Sequence, residues 1–194
     1  MMGMAATHVA LLRGINLAGK NKVAMADLRT LVAELGHADV STYIQSGNVL
    51  FTAAEAGADG GVMAQAMSAA IAAKLGVTSP VVVVSREELA QIVAANPFPD
   101  EPDPRRVHAV LLSEPPGVEL ADKLAAALAK SAAKGSRDDV KSIGRALYLH
   151  TPDGFGNSDL AVGLMRIVSA PKAGLTGTAR NWATTTKLLQ LCGG

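Results

Sequence analysis

The residues from Gly14 to Lys20, GINLAGK, fit the G-x-x-x-x-G-K spacing with which a glycine-rich loop cradles phosphate. A phosphate loop of that class also needs a Ser or Thr for magnesium after the lysine, and Asn21 stands there instead. The next helical pattern begins near Met25 rather than at Lys20, and the apolar run VVVV ends in Ser85 rather than in a magnesium-binding Asp. A weaker anion-binding chemistry survives these departures. Arg13, Asn16, Lys20 and Asn21 combine cations and amides with no carboxylate side chain before Asp27, a set suited to a phosphate or carboxylate group. Gln45, Ser46 and Asn48 offer a second group of polar side chains, and Arg180, Asn181 and Lys187 a third. Turn geometry is the alternative use of the Asn and Gly residues, but it does not account for Arg13 or Lys20.

Other chemistry finds little support. His8, His37, His108 and His150 lack metal-ligand spacing with one another or with Cys192, so no metal site is expected. There is no G-x-S-x-G elbow and no evident acid–base pair, and nothing calls for a cofactor. Tyr43 and Phe51 alone cannot form the aromatic platform on which an RNA-binding sheet stacks bases, since aromatic residues make up only 3% of the chain. The net charge of +1 likewise argues against nonspecific nucleic-acid binding.

The distribution of charge is more informative than its sum. Residues 1–26 carry Arg13, Lys20 and Lys22, residues 160–194 carry Arg166, Lys172, Arg180 and Lys187, and neither stretch has a carboxylate side chain. An anion-facing region follows if the two ends meet, and two separately solvated basic faces if they do not.

These residues must be positioned by elements that the hydrophobic pattern outlines. HVALLR reads as a strand, Met25 to Leu35 as a helix stopped by Gly36, and STYIQSGNVLFT as a hairpin turning at Ser46, Gly47 and Asn48. A helix over Val62 to Leu75 and the strand Val81 to Val84 complete a β-α-β-β-α-β order. That topology brings the loop after the first strand and the hairpin turn to one edge of the sheet. Ser85 and Glu88 then form a capping box for a helix that ends before Pro97, and PFPDEPDP reads as a linker.

Beyond it come a strand at 107–112, a helix marked by Leu120, Leu124 and Leu128, a hairpin turning near Gly144, and helices near 158–168 and 178–191. On the last of these, Arg180, Thr184 and Lys187 are expected to form a cationic stripe opposite Trp182. The fold class is therefore α+β: a ferredoxin-like plait with a mainly antiparallel sheet over 1–85, then a second, related α+β unit with a C-terminal helix over 86–194, whose recurring β-α-hairpin-α order allows a duplication that residue identity is too thin to establish. With one cysteine there is no intrachain disulfide, and the short apolar N-terminal run suits neither a signal peptide nor a membrane span, so a cytoplasmic location is expected.

RGINLAGKNKV, TYIQSGNVLF, AANPF, LYLHTPDGFG and TARNWATTTKLL occur in this order, and together the chain resembles the bacterial domain of unknown function 1697 family from His8 to Leu191. The resemblance implies an α+β fold with ferredoxin-like units and a shared polar site of Arg13, Asn16, Lys20, Asn21, Gln45, Asn48, Arg180, Asn181 and Lys187. It brings no activity with it. The chain departs from the family at Asp159, where Lys is usual, and at Ala183, where Asn is frequent.

The leading expectation is thus a binding protein for a small phosphate- or carboxylate-bearing molecule. An enzyme acting on a nucleotide or phosphorylated metabolite would need a carboxylate, His or thiol lining the same cleft. A nucleic-acid binder would weaken steeply with salt. Whether the chain is an enzyme, and its oligomeric state, stay open at this point.

Overall fold

The computed structural model describes residues 6–170 and 175–193; Lys172 and the first five residues lie outside them. The chain divides into two compact units, Met1–Gln91 with Lys187–Gly194, and Ile92–Thr186.

The first unit is built on strand β1 (His8–Leu12), whose Val9, Ala10, Leu11 and Leu12 are each at most 1% exposed. A five-residue strand that is apolar on both faces must sit inside a sheet covered on both sides. It does so. β1 lies between β3 (Asn48–Thr52) and β4 (Val81–Ser85), with β2 (Ala38–Tyr43) outside β3, and every pairing is antiparallel.

Helices α1 (Met25–Glu34) and α2 (Gly60–Leu75) complete the βαββαβ plait, packing Leu28, Leu31, Met67 and Ile71 on the face that carries Ala10, Leu12, Val49, Phe51 and Val83. Burying each of the larger side chains contributes about 1.5–3 kcal/mol. Asp59 caps α2 by accepting from the N–H of Val62 at 2.9 Å, and Gly76 ends it with φ +66°. The expected capping box opens α3 (Arg86–Ala94). The Ser85 N–H donates to the Glu88 carboxylate at 2.8 Å, and the Glu88 N–H donates to Ser85 Oγ at 3.1 Å.

The second unit repeats the plan with β5 (Val107–Leu112), α4 (Val118–Ala133), β6 (Asp139–Ile143), β7 (Ala146–His150), α5 (Asp159–Ser169) and β8 (Gly177–Asn181). Its sheet order, β6-β7-β5-β8, is the order β2-β3-β1-β4 of the first unit, again antiparallel throughout. Val110, Leu112, Leu147 and Leu149 meet Leu124, Leu160, Leu164 and Val168 of the helices. Helix α6 (Trp182–Leu191) follows β8.

Strand β8 corrects the expectation of a helix from residue 178. Thr178 to Asn181 pair with Leu111 to His108, and only from Trp182 does the helical spacing take over. The segment 97–104, read as a linker, is packed on the second unit: Phe98 stacks on His150 at 5.1 Å, and Glu101 bonds the same imidazole at 2.7 Å.

Gly47, in the β2–β3 turn, combines φ +78° with a close approach, because a Cβ there would lie 2.7 Å from the Leu12 Cβ. Gly47→Ala is expected to cost about 3 kcal/mol, from the left-handed backbone and the overpacking together. Guanidinium unfolding checks this, and a loss below about 1 kcal/mol would contradict it.

Candidate functional site

The loop that leaves β1 is rooted on both sides. The N–H of Leu12 donates to the Gly47 carbonyl at 2.9 Å and that of Arg13 to the Pro80 carbonyl at 3.0 Å, while the hydroxyl of Ser79 donates to the Arg13 carbonyl at 2.9 Å. Past that root the backbone takes positive φ at Gly14, Asn16, Ala18, Gly19 and Asn21. Such a run is what Asn and Gly accept and most residues resist.

Asn16 holds this path in place. Its Nδ2 donates to the carbonyls of Val23 and Gln45, both at 2.9 Å, and its Oδ1 accepts from the N–H of Val23 at 2.9 Å. One side chain therefore closes the loop on itself and ties it to the β2–β3 turn, so the loop and the turn do meet at one edge of the first sheet. Asn21 Nδ2 donates to the Gly14 carbonyl at 2.9 Å, and the N–H of Asn16 donates to the Asn21 carbonyl at 3.0 Å. In the turn, Asn48 is fully buried and its Nδ2 donates to the Tyr43 carbonyl and to Ser46 Oγ, each at 3.0 Å.

The tip of the loop is a tight turn closed by the Lys20 N–H on the Leu17 carbonyl at 2.9 Å. Its central residues, Ala18 and Gly19, have φ +46° and +78°, the signs a type I′ turn requires. An alanine in that conformation costs about 1 kcal/mol. The backbone N–H groups of Ala18 and Gly19 make no hydrogen bond among the described residues, and the side chain of Lys20 is exposed beside them. Leu17, at 62% exposure, and Ile44, at 50% with the unusual φ of +51° for a β-branched residue, add apolar surface next in sequence to this polar set.

The residues expected to join from the other end of the chain have different settings. Arg180 lies on β8, not on a helix, so the stripe of Arg180, Thr184 and Lys187 does not form. Arg180 is 9% exposed, and its Nη1 donates to Thr178 Oγ1 at 2.9 Å and to the Ala179 carbonyl at 2.8 Å. Burial lowers its pKa to about 10, which leaves it charged at neutral pH. Asn181 caps α6, its Oδ1 accepting from the Thr184 N–H at 2.8 Å, and Lys187 is exposed on that helix. Burial also lowers the pKa of Arg13.

Of the positions singled out in the sequence, the structure brings Asn16, Asn21 and Lys20 into one loop and joins it to Gln45 through that residue's carbonyl. The Asn side chains serve the loop's shape. The groups left facing outward include two backbone N–H groups that sequence reading passed over, for which the Ala-Gly pair between two asparagines was the available signal.

Elsewhere, Phe51 is buried in the first core and cannot stack on a nucleic-acid base. His108 is held against Phe155, with ring centroids 4.2 Å apart, and burial pulls its pKa down to about 4. Among the described residues no three His, Cys, Asp or Glu side chains gather as a metal site, and no helix is long and apolar enough to cross a membrane.

Two consecutive βαββαβ plaits, the first carrying a clasped polar loop at its edge, define a tandem ferredoxin-like α+β protein. The chain belongs to the family described as "Protein of unknown function (DUF1697)", whose model matches residues 5–148. The matched residues hold Arg13, Asn16, Lys20, Asn21, Gln45, Ser46 and Asn48, while Arg180, Asn181 and Lys187 lie past them. Among solved structures, the fold is similar to that of a conserved bacterial protein from Streptococcus pneumoniae, at 20% identity and a TM-score of 0.66, over 96% of this chain and 98% of that one. At that identity the likeness speaks for the fold alone. A comparison with curated proteins finds no match.

If Asn16 is the clasp, Asn16→Ala removes three hydrogen bonds and places alanine at a positive φ. The expected loss is about 3 kcal/mol in urea unfolding. A change below about 1 kcal/mol would show that the loop keeps its path without it.

Proposed function

We propose that the protein binds a small phosphate- or carboxylate-bearing ligand at the tip of the loop between β1 and α1. The reading rests on one observation: the amides of Asn16 and Asn21 spend their hydrogen bonds on the loop, so that the N–H groups of Ala18 and Gly19 and the ammonium of Lys20 stay turned to solvent. Successive N–H groups in a turn can form an anion-accepting concavity, and an adjacent cation adds charge assistance. The loop's form is fixed from within by the bonds of Asn16 and Asn21, so little ordering entropy opposes binding. Lys22 is exposed two residues on and raises the local positive potential.

The reading is one of binding rather than catalysis, because this loop carries no carboxylate, imidazole or thiol to move a proton. We place the protein in the cytoplasm: its lone Cys192 is fully buried, and burial pushes the thiol pKa up to about 11, a setting that needs no oxidising compartment.

A ligand that binds the native state raises the melting temperature. Thermal-shift measurements with inorganic phosphate, nucleotides, sugar phosphates and polyanions are expected to show such a rise for at least one of them. In Lys20→Ala, where an exposed side chain is removed, the resting melting temperature stays within about 1 °C and the rise is lost. A rise that persists in Lys20→Ala, or no rise with any anion, would contradict the proposal.

A further inference from the structure

The second unit carries a groove that the loop reading does not use. It runs between α4 and α5, has a volume of about 430 Å³, and is lined along α4 by Ala127, Lys130, Ser131 and Lys134, and along α5 by Asp159, Leu160, Gly163, Arg166 and Ile167. Ala127, Lys130, Ser131 and Lys134 stand at i, i+3, i+4 and i+7, and Asp159, Val162, Gly163 and Arg166 at the same spacing, which makes two facing stripes. A second stretch of about 430 Å³ continues the groove past Arg166 and Ile167 toward Leu120 and Ala170. The volume suits a small molecule.

Three features of this groove are unusual for two packed helices. First, Ser131 is 3% exposed, lines the groove, and its hydroxyl has no hydrogen-bond partner among the described residues. A serine inside a helix ordinarily bonds the carbonyl one turn back, and leaving a buried hydroxyl unmade costs about 1–3 kcal/mol. Second, Gly163 stands in the interior of α5, where glycine is a poor helix former, and a Cβ built there would meet nothing within 4 Å. No close approach requires the glycine, and its effect is to keep the groove open. Third, the charges do not balance. Lys134 pairs with Asp159 at 2.5 Å, the one carboxylate among the lining residues of the first stretch. Lys130 and Arg166 are both exposed on the rim; Lys130 acts on Asp159 only through its field, without an ion-pair contact, and Arg166 makes no ion pair or hydrogen bond among the described residues.

We propose that the α4–α5 groove binds a small amphipathic anion, its phosphate or carboxylate head held by Lys130, Arg166 and the Ser131 hydroxyl and its apolar body lying over Gly163 along Val162 and Ile167. A purely polar anion would leave the apolar wall wet, and a neutral apolar molecule would leave Arg166 and the Ser131 hydroxyl unanswered and two further cations, Lys130 and Lys134, sharing the single Asp159 carboxylate. The amphipathic anion satisfies both sets of groups.

Calorimetric titration of the full chain with hexyl phosphate and with hexanoate tests this, the two arms separating a phosphate head from a carboxylate head. Inorganic phosphate and hexanol serve as comparisons. In Lys20→Ala, which takes the loop's cation away, at least one of the two amphipathic anions is expected to bind with one-to-one stoichiometry, at least about tenfold more tightly than inorganic phosphate or hexanol, because apolar burial and charge-assisted bonds then act together. Ser131→Ala should weaken it about tenfold, as the loss of a hydrogen bond to a charged group predicts. The Lys130→Ala, Arg166→Ala double variant should weaken it about a hundredfold.

Gly163→Leu fills the groove while improving the helix, so it should abolish binding without lowering the melting temperature. The proposal is overturned if neither anion binds, if hexanol binds as tightly as they do, or if affinity survives both the double variant and Gly163→Leu.

Discussion

The structure depends on a single constraint: the central strand of each unit must be dry on both faces. VALL in β1 and AVLL in β5 have no polar side chain to offer water, and all eight residues are at most 1% exposed. Burial on this scale cannot be met by a hairpin or by an edge strand. It demands a neighbour on either side, which the βαββαβ order supplies as β3 and β4 around β1 and as β7 and β8 around β5, and it demands cover, which α1 and α2, or α4 and α5, supply on one face. The same constraint positions the candidate loop. Because β1 is hydrogen-bonded to β3 and β4 up to its last residue, the chain leaves the sheet between the Gly47 and Pro80 carbonyls with its first step already fixed.

From that root the loop is shaped by side chains rather than by packing. Three left-handed non-glycine residues, Asn16, Ala18 and Asn21, lie within six positions. Two of them are asparagines, whose amides offset the cost of that conformation by bonding the loop's own carbonyls. Ala18 has no such compensation from its side chain.

The order of elements was legible because each boundary coincides with a chemical change. Gly36 and Gly76 end helices, Ser85 and Glu88 open one, and apolar runs of four or five residues mark the inner strands. Strand β8 was not legible. Five residues that include Gly, Arg and Asn have low strand preference, and the helical spacing of Trp182, Thr185 and Leu189 just downstream extends backward over them. Only pairing with β5, a contact with residues some seventy positions away, decides the matter.

The candidate loop was legible in residue type but not in atom. Asn16, Lys20 and Asn21 were recognisable as a polar group, whereas the division of labour between amides that shape the loop and N–H groups that face solvent depends on the fold. The α4–α5 groove was invisible in the sequence for a related reason. Ser131 sits in an alanine-rich helix and Gly163 in an apolar one, and their meaning lies in a partner and a side chain that are absent there.

The central claim is that the Asn16 clasp presents the Ala18 and Gly19 amides, with Lys20, to an anion. Titrating phosphate into the isotopically labelled protein while following backbone amide resonances tests it residue by residue. The account predicts saturable shifts centred on Ala18, Gly19 and Lys20, with the Asn16 side-chain amide keeping its resonance because its bonds are internal. Shifts absent from those three residues at saturating phosphate would contradict it.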